Sequence, residues 1–198
     1  MSVRQSLLAI LDQGPCYGYQ LRAEFARRTG GTWPLNVGQI YNTLDRLERD
    51  GLVARGEADA QGHVYWRITD AGSHEVADWL SAPVARPDGS RDDLAIKLTM
   101  AATLPGVDVA AVVRTQRAAS AGRLAALRAD DSTHDAGPEQ VVRELLHEAA
   151  VFAAEAELRW LDGVAARLAS SGTAAVLELS ADRPKRGRPA ARSATPGD

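Results

Sequence analysis

The chain has 198 residues, 45% of them hydrophobic and 25% charged, with a formal net charge of −3 at pH 7. That length suits one or two small domains; the single cysteine, Cys16, excludes an internal disulfide, and packing in the turn after Pro15 is its expected role. No apolar run approaches membrane-spanning length and the N-terminus does not read as a signal peptide, so a cytoplasmic protein without a membrane partner is expected.

In chain order, residues 2–12 predict a helix with Val3, Leu7, Ile10 and Leu11 on one face, and Gly14-Pro15 breaks it. Residues 17–29 predict a second helix with Leu21 and Phe25 inward and Arg22, Arg27 and Arg28 outward. The third pattern, residues 36–53, is the most informative. Val37, Ile40, Leu44 and Leu47 form an apolar stripe, whereas Gln39, Asn42, Thr43 and Arg46 fall on the opposite side. Amide, hydroxyl and guanidinium groups are the side chains that read base edges in a major groove, Arg on guanine and Asn or Gln on adenine. Gly51 then stops the helix. Residues 52–55 and 64–69 predict two strands around a polar loop, the second with Val64, Trp66 and Ile68 on one face and Tyr65 and Arg67 on the other. Three helices followed by a hairpin make a complete small DNA-binding unit, a winged helix-turn-helix. Tyr41 sits at the margin of the two helix faces, where its ring packs and its hydroxyl reaches a phosphate. Tyr17 and Tyr19, opening the second helix, are expected to position the DNA backbone.

The ordered set Leu7-Leu8-Ala9-Ile10-Leu11, Gly14-Pro15, Gly18-Tyr19-Gln20-Leu21, Gly38-Gln39-Ile40-Tyr41, Leu44, Arg46-Leu47-Glu48, Gly51-Leu52-Val53, Tyr65, Ile68-Thr69 and Ala71-Gly72 resembles the PadR family of bacterial transcriptional regulators. The resemblance covers the first eighty residues or so. It implies a homodimeric winged helix-turn-helix repressor whose C-terminal helices make the dimer and often sense a small molecule such as a phenolic acid. Two departures stand out. Asn42 replaces the Pro that the family usually carries after its Ile-Tyr pair, and Asn remains able to donate to a base or phosphate. The wing tip reads Ala60-Gln61-Gly62-His63 after Glu57 and Asp59, without the usual Lys or Arg, which predicts weak wing contacts. The acidic total also predicts modest non-specific affinity for DNA, although Arg22, Arg27, Arg28, Arg46 and Arg49 can gather on one face.

Pro83, Pro87 and Asp88-Gly89-Ser90 mark a linker. Helices are predicted over residues 91–103, 107–128 and 139–168, separated by Leu104-Pro105-Gly106 and a polar loop over 130–138. Three helices with wide apolar stripes and no sheet need a partner's cover, and a two-fold dimer supplies it; such a dimer reads an inverted repeat. Trp79, Met100, Phe152 and Trp160 are candidates to line an apolar site for a small aromatic effector, with simple filling of the dimer core as the alternative.

The C-terminal composition predicts no stable structure of its own. Within it, Lys185-Arg186-Gly187-Arg188-Pro189 resembles an AT-hook core: Gly lets the backbone press into a narrow minor groove while Arg186 and Arg188 spread along its floor. Such a tail would supply contacts the poorly charged wing lacks.

The four histidines show no metal-ligand spacing, and there is no phosphate loop or nucleophile elbow, so neither cofactor, metal nor enzymatic activity is expected. The expected fold is mainly α with a small β-hairpin wing: a winged helix-turn-helix at 1–80, a linker at 81–90, a helical dimerisation and effector-sensing domain at 91–170 and a basic tail at 171–198. The expected function is DNA-binding transcriptional regulation on double-stranded DNA; the alternative is a winged helix used as a protein-interaction module.

Overall fold

Among the described residues, ten elements are arranged in chain order: α1 (Ser2–Leu11), β1 (Cys16–Tyr17), α2 (Gly18–Arg28), α3 (Val37–Arg49), β2 (Val53–Ala58), β3 (Val64–Ile68), α4 (Asp70–Ser81), α5 (Arg91–Thr103), α6 (Val109–Arg128) and α7 (Gln140–Ser171). The computed structural model describes residues 2–85, 91–130, 140–171 and 175–181. The architecture is mainly helical with one small antiparallel sheet, as the sequence predicts.

Helix α1 is the spine of the N-terminal unit. Leu7, Leu8, Ala9, Ile10 and Leu11 are all buried, so its last turns are apolar on every side and must be surrounded. Helices α2, α4 and α5 and strand β3 surround it. Arg4 adds a polar tie at its exposed edge, pairing with Asp50 beyond α3 and Glu75 of α4.

The wing is one strand larger than the sequence suggests. Strand β1 pairs antiparallel with β3, Cys16 opposite Trp66 and Tyr17 opposite Tyr65, giving the order β1-β3-β2. A two-residue strand carries no periodicity to read. Helix α2 therefore begins at Gly18, with Tyr17 as its N-cap residue in extended conformation.

Helix α4 also escapes the periodicity. Only Gly72 and Val76 of its twelve residues are buried, too few to mark a stripe. Its start is set by Thr69, whose Oγ1 accepts from Gly72 N and donates to Gly51 O.

Helix α5 divides its side chains between two apolar clusters. Ile96 and Met100 join the core around α1, while Leu94, Leu98 and Ala101 pack with Val109, Val112, Val113 and Leu161. Helices α6 and α7 run antiparallel, Arg117 pairing with Asp162 and Arg128 with Glu155. Between them Ser120 donates to the buried Glu157 carboxylate, 2.5 Å away.

Residues 175–181 correct the expectation of an unstructured tail from 171 onward. They lie against α2, held by Leu177 N to Thr103 O at 2.9 Å, Arg28 to Leu177 O at 2.7 Å and Ser180 N to the Glu24 carboxylate at 2.9 Å. Leu179 packs on the core around α1. The missed signal is the alternation of Leu177 and Leu179 with Glu178, too short to stand out in a biased segment.

Candidate nucleic-acid interface

Helix α3 is fixed at both ends by its own sequence. At its start Asn36 Oδ1 accepts from Gln39 N, 2.8 Å, and Gln39 Oε1 accepts from Asn36 N, 2.9 Å, a reciprocal capping box. At its end Gly51 adopts φ +73°, and Gly51 N and Leu52 N donate back to Glu48 O and Leu47 O. Ile40, Leu44 and Leu47 are fully buried, so the predicted apolar stripe is the one that docks.

The opposite face is exposed at Gln39, Asn42 and Arg46 and half-buried at Thr43. The side chains of Asn42 and Arg46 make no hydrogen bond or ion pair within the described residues. The same holds for Arg49, a further turn along that stripe and outside the set expected to contact bases. Gln39 and Thr43 are partly spent. The Gln39 carbonyl oxygen gives one of its two acceptor positions to the capping box. Thr43 Oγ1 donates to Gln39 O at 2.8 Å.

Tyr41, 37% exposed, is marginal as expected: its ring lies over Gly18 at the start of α2. Tyr19 is half-buried next to it in sequence. Tyr17 requires a correction. It is 1% exposed and offers a duplex no surface; its ring stacks on His63 at 4.5 Å between centroids and meets the edge of Tyr65 at 5.5 Å. Pairing of β1 with β3 turned that side chain inward, where it holds the base of the wing.

The predicted Arg face is also smaller than expected. Arg28 is 3% exposed, not outward, and donates to Thr103 O, Leu177 O and the Gln13 side chain beside Glu24. Arg27 is bound to Glu24 and Glu178 O. Arg22 remains exposed on α2.

The wing tip is acidic in structure as in sequence. Asp59 accepts from the backbone N–H of His63 and Gln61 and pairs with the His63 ring, and these bonds hold its carboxyl below the ordinary range. Arg55, the cation in β2, is engaged by Asp45 and Glu48 and lies over Trp66.

The aromatic set expected to line an effector site is not brought together as one group within the chain. Met100 is wholly buried in the core around α1, while Phe152 and Trp160 are 66% and 41% exposed on α7. Trp79 lines a cavity of about 370 Å³ with Lys97, Asp78 and Asp93. Lys97 donates to Ala82 O, and burial pushes its pKa down to about 8. Arg186 and Arg188 lie outside the described residues. Among the described residues no group of His, Cys, Asp and Glu forms a metal cluster, and no helix is long and apolar enough to cross a membrane. Cys16 is buried as expected, its thiol pushed up to about 12 by burial and then by the nearby Glu24 carboxylate.

A capped helix docked by one stripe, presenting unpaired Asn and Arg on the other and followed by a hairpin, defines the winged helix-turn-helix class of DNA-binding protein. Residues 7–78 match the Transcriptional regulator PadR-like family, and residues 90–169 match the Virulence activator alpha C-term family. The winged helix of residues 7–78 is thus a PadR-like regulator domain. It is similar to the Negative transcriptional regulator PadR of Bacillus subtilis (strain 168), 26% identical over 99 residues, which is 48% of this chain and spans about half, 54%, of that relative. Similar solved structures include Bacillus subtilis PadR in complex with operator DNA, 20% identical with a TM-score of 0.41, covering 85% of this chain and 99% of that one. The Vibrio cholerae virulence activator AphA is 21% identical with a TM-score of 0.37, covering 86% of this chain and 99% of that one.

Proposed function

We propose that the protein is a homodimeric transcriptional repressor that reads an inverted-repeat operator with α3. The observation that carries this reading is the stripe of Asn42, Arg46 and Arg49, exposed and without intramolecular partners among the described residues, on a helix whose other face is fully docked. Free donors on a rigid helix keep their hydrogen-bonding capacity for an external acceptor, and guanine O6 and N7 suit an Arg fork. The match of residues 7–78 to the PadR-like family model and the similarity to a negative regulator support the same reading.

The dimer is supported by α7, where Val141, Val142, Leu145, Leu146, Phe152 and Trp160 are exposed together. An apolar surface of that kind calls for cover, and a second copy provides it symmetrically. Release by a small aromatic ligand is the finest part of the reading. The cavity beside Trp79 offers an indole face for such a molecule, with Lys97, Asp78 and Asp93 around it.

One observation favours a second reading, a winged helix that binds protein: the wing carries Glu57 and Asp59 where a duplex would be met by cations. Fluorescence anisotropy on the DNA upstream of the protein's own gene, against a scrambled duplex and across a salt series, separates the two. Preference for the native duplex with a steep salt slope is the expected result. Equal, weak binding to both duplexes would favour the protein-binding role.

A further inference from the structure

Residues 175–181 are held by their main chain. Leu177 N donates to Thr103 O and Leu177 O accepts from Arg28; Glu178 O accepts from Arg27; Ser180 N donates to Glu24 and Ser180 O accepts from Gln20. One side chain adds an apolar anchor. Leu179 packs on the core around α1, and Gly14 leaves it room: a Cβ there would stand 3.3 Å from Leu179 Cδ1. The segment is a clasp laid along α2 from Arg28 back toward Gln20 and closed on the end of α5.

The receptor for that main chain is a buried charge pair. Glu24 is 1% exposed and Arg28 3%, with Arg28 Nε 3.3 Å from Glu24 Oε2. Buried charges are costly unless their remaining hydrogen-bonding positions are filled. The clasp fills one on each side: Ser180 N lies 2.9 Å from Glu24 Oε1, and Leu177 O lies 2.7 Å from the Arg28 guanidinium. The same guanidinium donates to Thr103 O at 2.8 Å and to the Gln13 side chain at 3.1 Å. Arg28 therefore joins its own helix to the turn after α1, the last residue of α5 and the clasp.

What this junction fixes is direction. Ile96 and Met100 hold α5 in the core around α1, but apolar contact is non-directional. A planar guanidinium bonded on several sides is held in one orientation, so the angle between α2 and α5 is set at Arg28. At its other end α2 carries α3, since the Tyr41 ring lies over Gly18. Helix α5 in turn packs with α6 and α7 through Leu94, Leu98 and Leu161. A continuous path thus runs from the C-terminal helices through Thr103, Arg28 and α2 to Tyr41.

We propose that Arg28 and the clasp are positioning elements for α3, setting its angle to the C-terminal helices and with it the half-site spacing that a dimer can meet. The inference rests on the DNA-binding reading above and adds to it the part of the fold that aims the reading helix. In a two-fold dimer joined through its C-terminal helices, a change of that angle moves the two α3 helices together or apart, whereas half-sites lie about one helical turn from each other.

The test compares the full-length wild type with Arg28→Gln, Leu179→Ala and Ser180→Pro. Ser180→Pro deletes the N–H given to Glu24 at the outer end of the clasp, and it serves if the buried Arg28→Gln fails to fold. Two nitroxides report the angle, one on α3 at Arg49→Cys and one on α6 at Ala118→Cys, both exposed positions; Cys16 is buried and stays unlabelled. Dilution with unlabelled chain isolates the distance within one chain, so the measurement needs neither DNA nor a dimer. With circular dichroism confirming that each protein is folded, wild type is expected to give one narrow distance and the clasp variants a broadened or shifted one. In anisotropy on the duplex upstream of the gene, the same variants without labels should bind about tenfold more weakly, the scale of residues that act on a site without touching its ligand. Unchanged distances with a lowered Tm overturn the proposal and leave the clasp a stabilising strap. Changed distances with unchanged affinity for a duplex that wild type prefers overturn the positioning role. No preference of the wild type for that duplex counts against the regulator reading alone, and the distances still decide whether the clasp orients α3.

Discussion

A Cβ built on Gly18 lies 2.8 Å from Cζ of Tyr41. The start of α2 and the exposed margin of α3 thus share one van der Waals contact, and side-chain size at Gly18 sets where Tyr41 sits. Gly18→Ala is expected to leave thermal stability within a few degrees. Ala in the first helical position gains about 0.5–1 kcal/mol over Gly, while the half-exposed Tyr41 ring swings away. Displaced toward the duplex, that ring should weaken DNA binding about tenfold. A large drop in Tm with intact affinity would contradict this division.

Gly72 presents the opposite case. A Cβ there meets Leu52 O at 2.3 Å and Ile68 Cγ1 at 2.6 Å, a backbone atom and a packed side chain with nowhere to move. Gly72→Ala should cost about 2–3 kcal/mol by overpacking, read as a lower urea midpoint with unchanged slope. A midpoint equal to wild type would show that α4 can slide off β3 at no cost.

Arg46→Ala is expected to cost about 1–3 kcal/mol on the preferred duplex and less on a scrambled one. Equal loss on both reassigns Arg46 to a phosphate. Stability should hardly change, since Arg46 has no partner to lose within the described residues.

Gln39→Glu separates capping from recognition. The carboxylate still accepts from Asn36 N and suits a helix N-terminus, so stability holds or rises by a few tenths of a kcal/mol, about 0.3. DNA affinity falls, because an amide donor has become an anion facing the duplex. Calorimetry and anisotropy on the same sample check both halves; an unfolded variant would refute the capping role.

Two buried groups oppose one another above pH 8. Lys97 titrates at about 8 in the fold against an ordinary 10.5, so the burial cost of its charge is relieved as pH rises and stability increases between those values. Cys16 titrates at about 12 against 9.0, so its contribution is complete below 9.0 and is lost as pH rises above it. Each slope is at most about 1.4 kcal/mol per pH unit. Urea unfolding should show stability rising from pH 8 to 9, level to about 10.5 and falling beyond. Cys16→Ala should extend the rise to 10.5, and Lys97→Met should remove it. A flat wild-type curve from pH 8 to 9 would rule out the Lys97 contribution.

Amphipathic spacing determined much of this protein without help. Val37 to Leu47 announced the docked face of α3, Gly51 its end, and Val64, Trp66 and Ile68 the inner face of the wing, because each depends on neighbours within a few residues. The motif set pointed to the PadR-like domain of residues 7–78 for the same reason. Tertiary structure decided what those periodicities cannot carry. Arg28 reads as an outward cation until Thr103 and Leu177, 75 and 149 residues away, supply buried carbonyls for it. Tyr17 reads as a helix-opening surface residue until β3 pairs with it. Gln39 reads as a base reader, though its carbonyl is claimed by a local cap. A side chain's exposure is a property of whatever packs across from it, and Arg28 and Tyr17 were misplaced by the sequence because their packing partners come from distant segments.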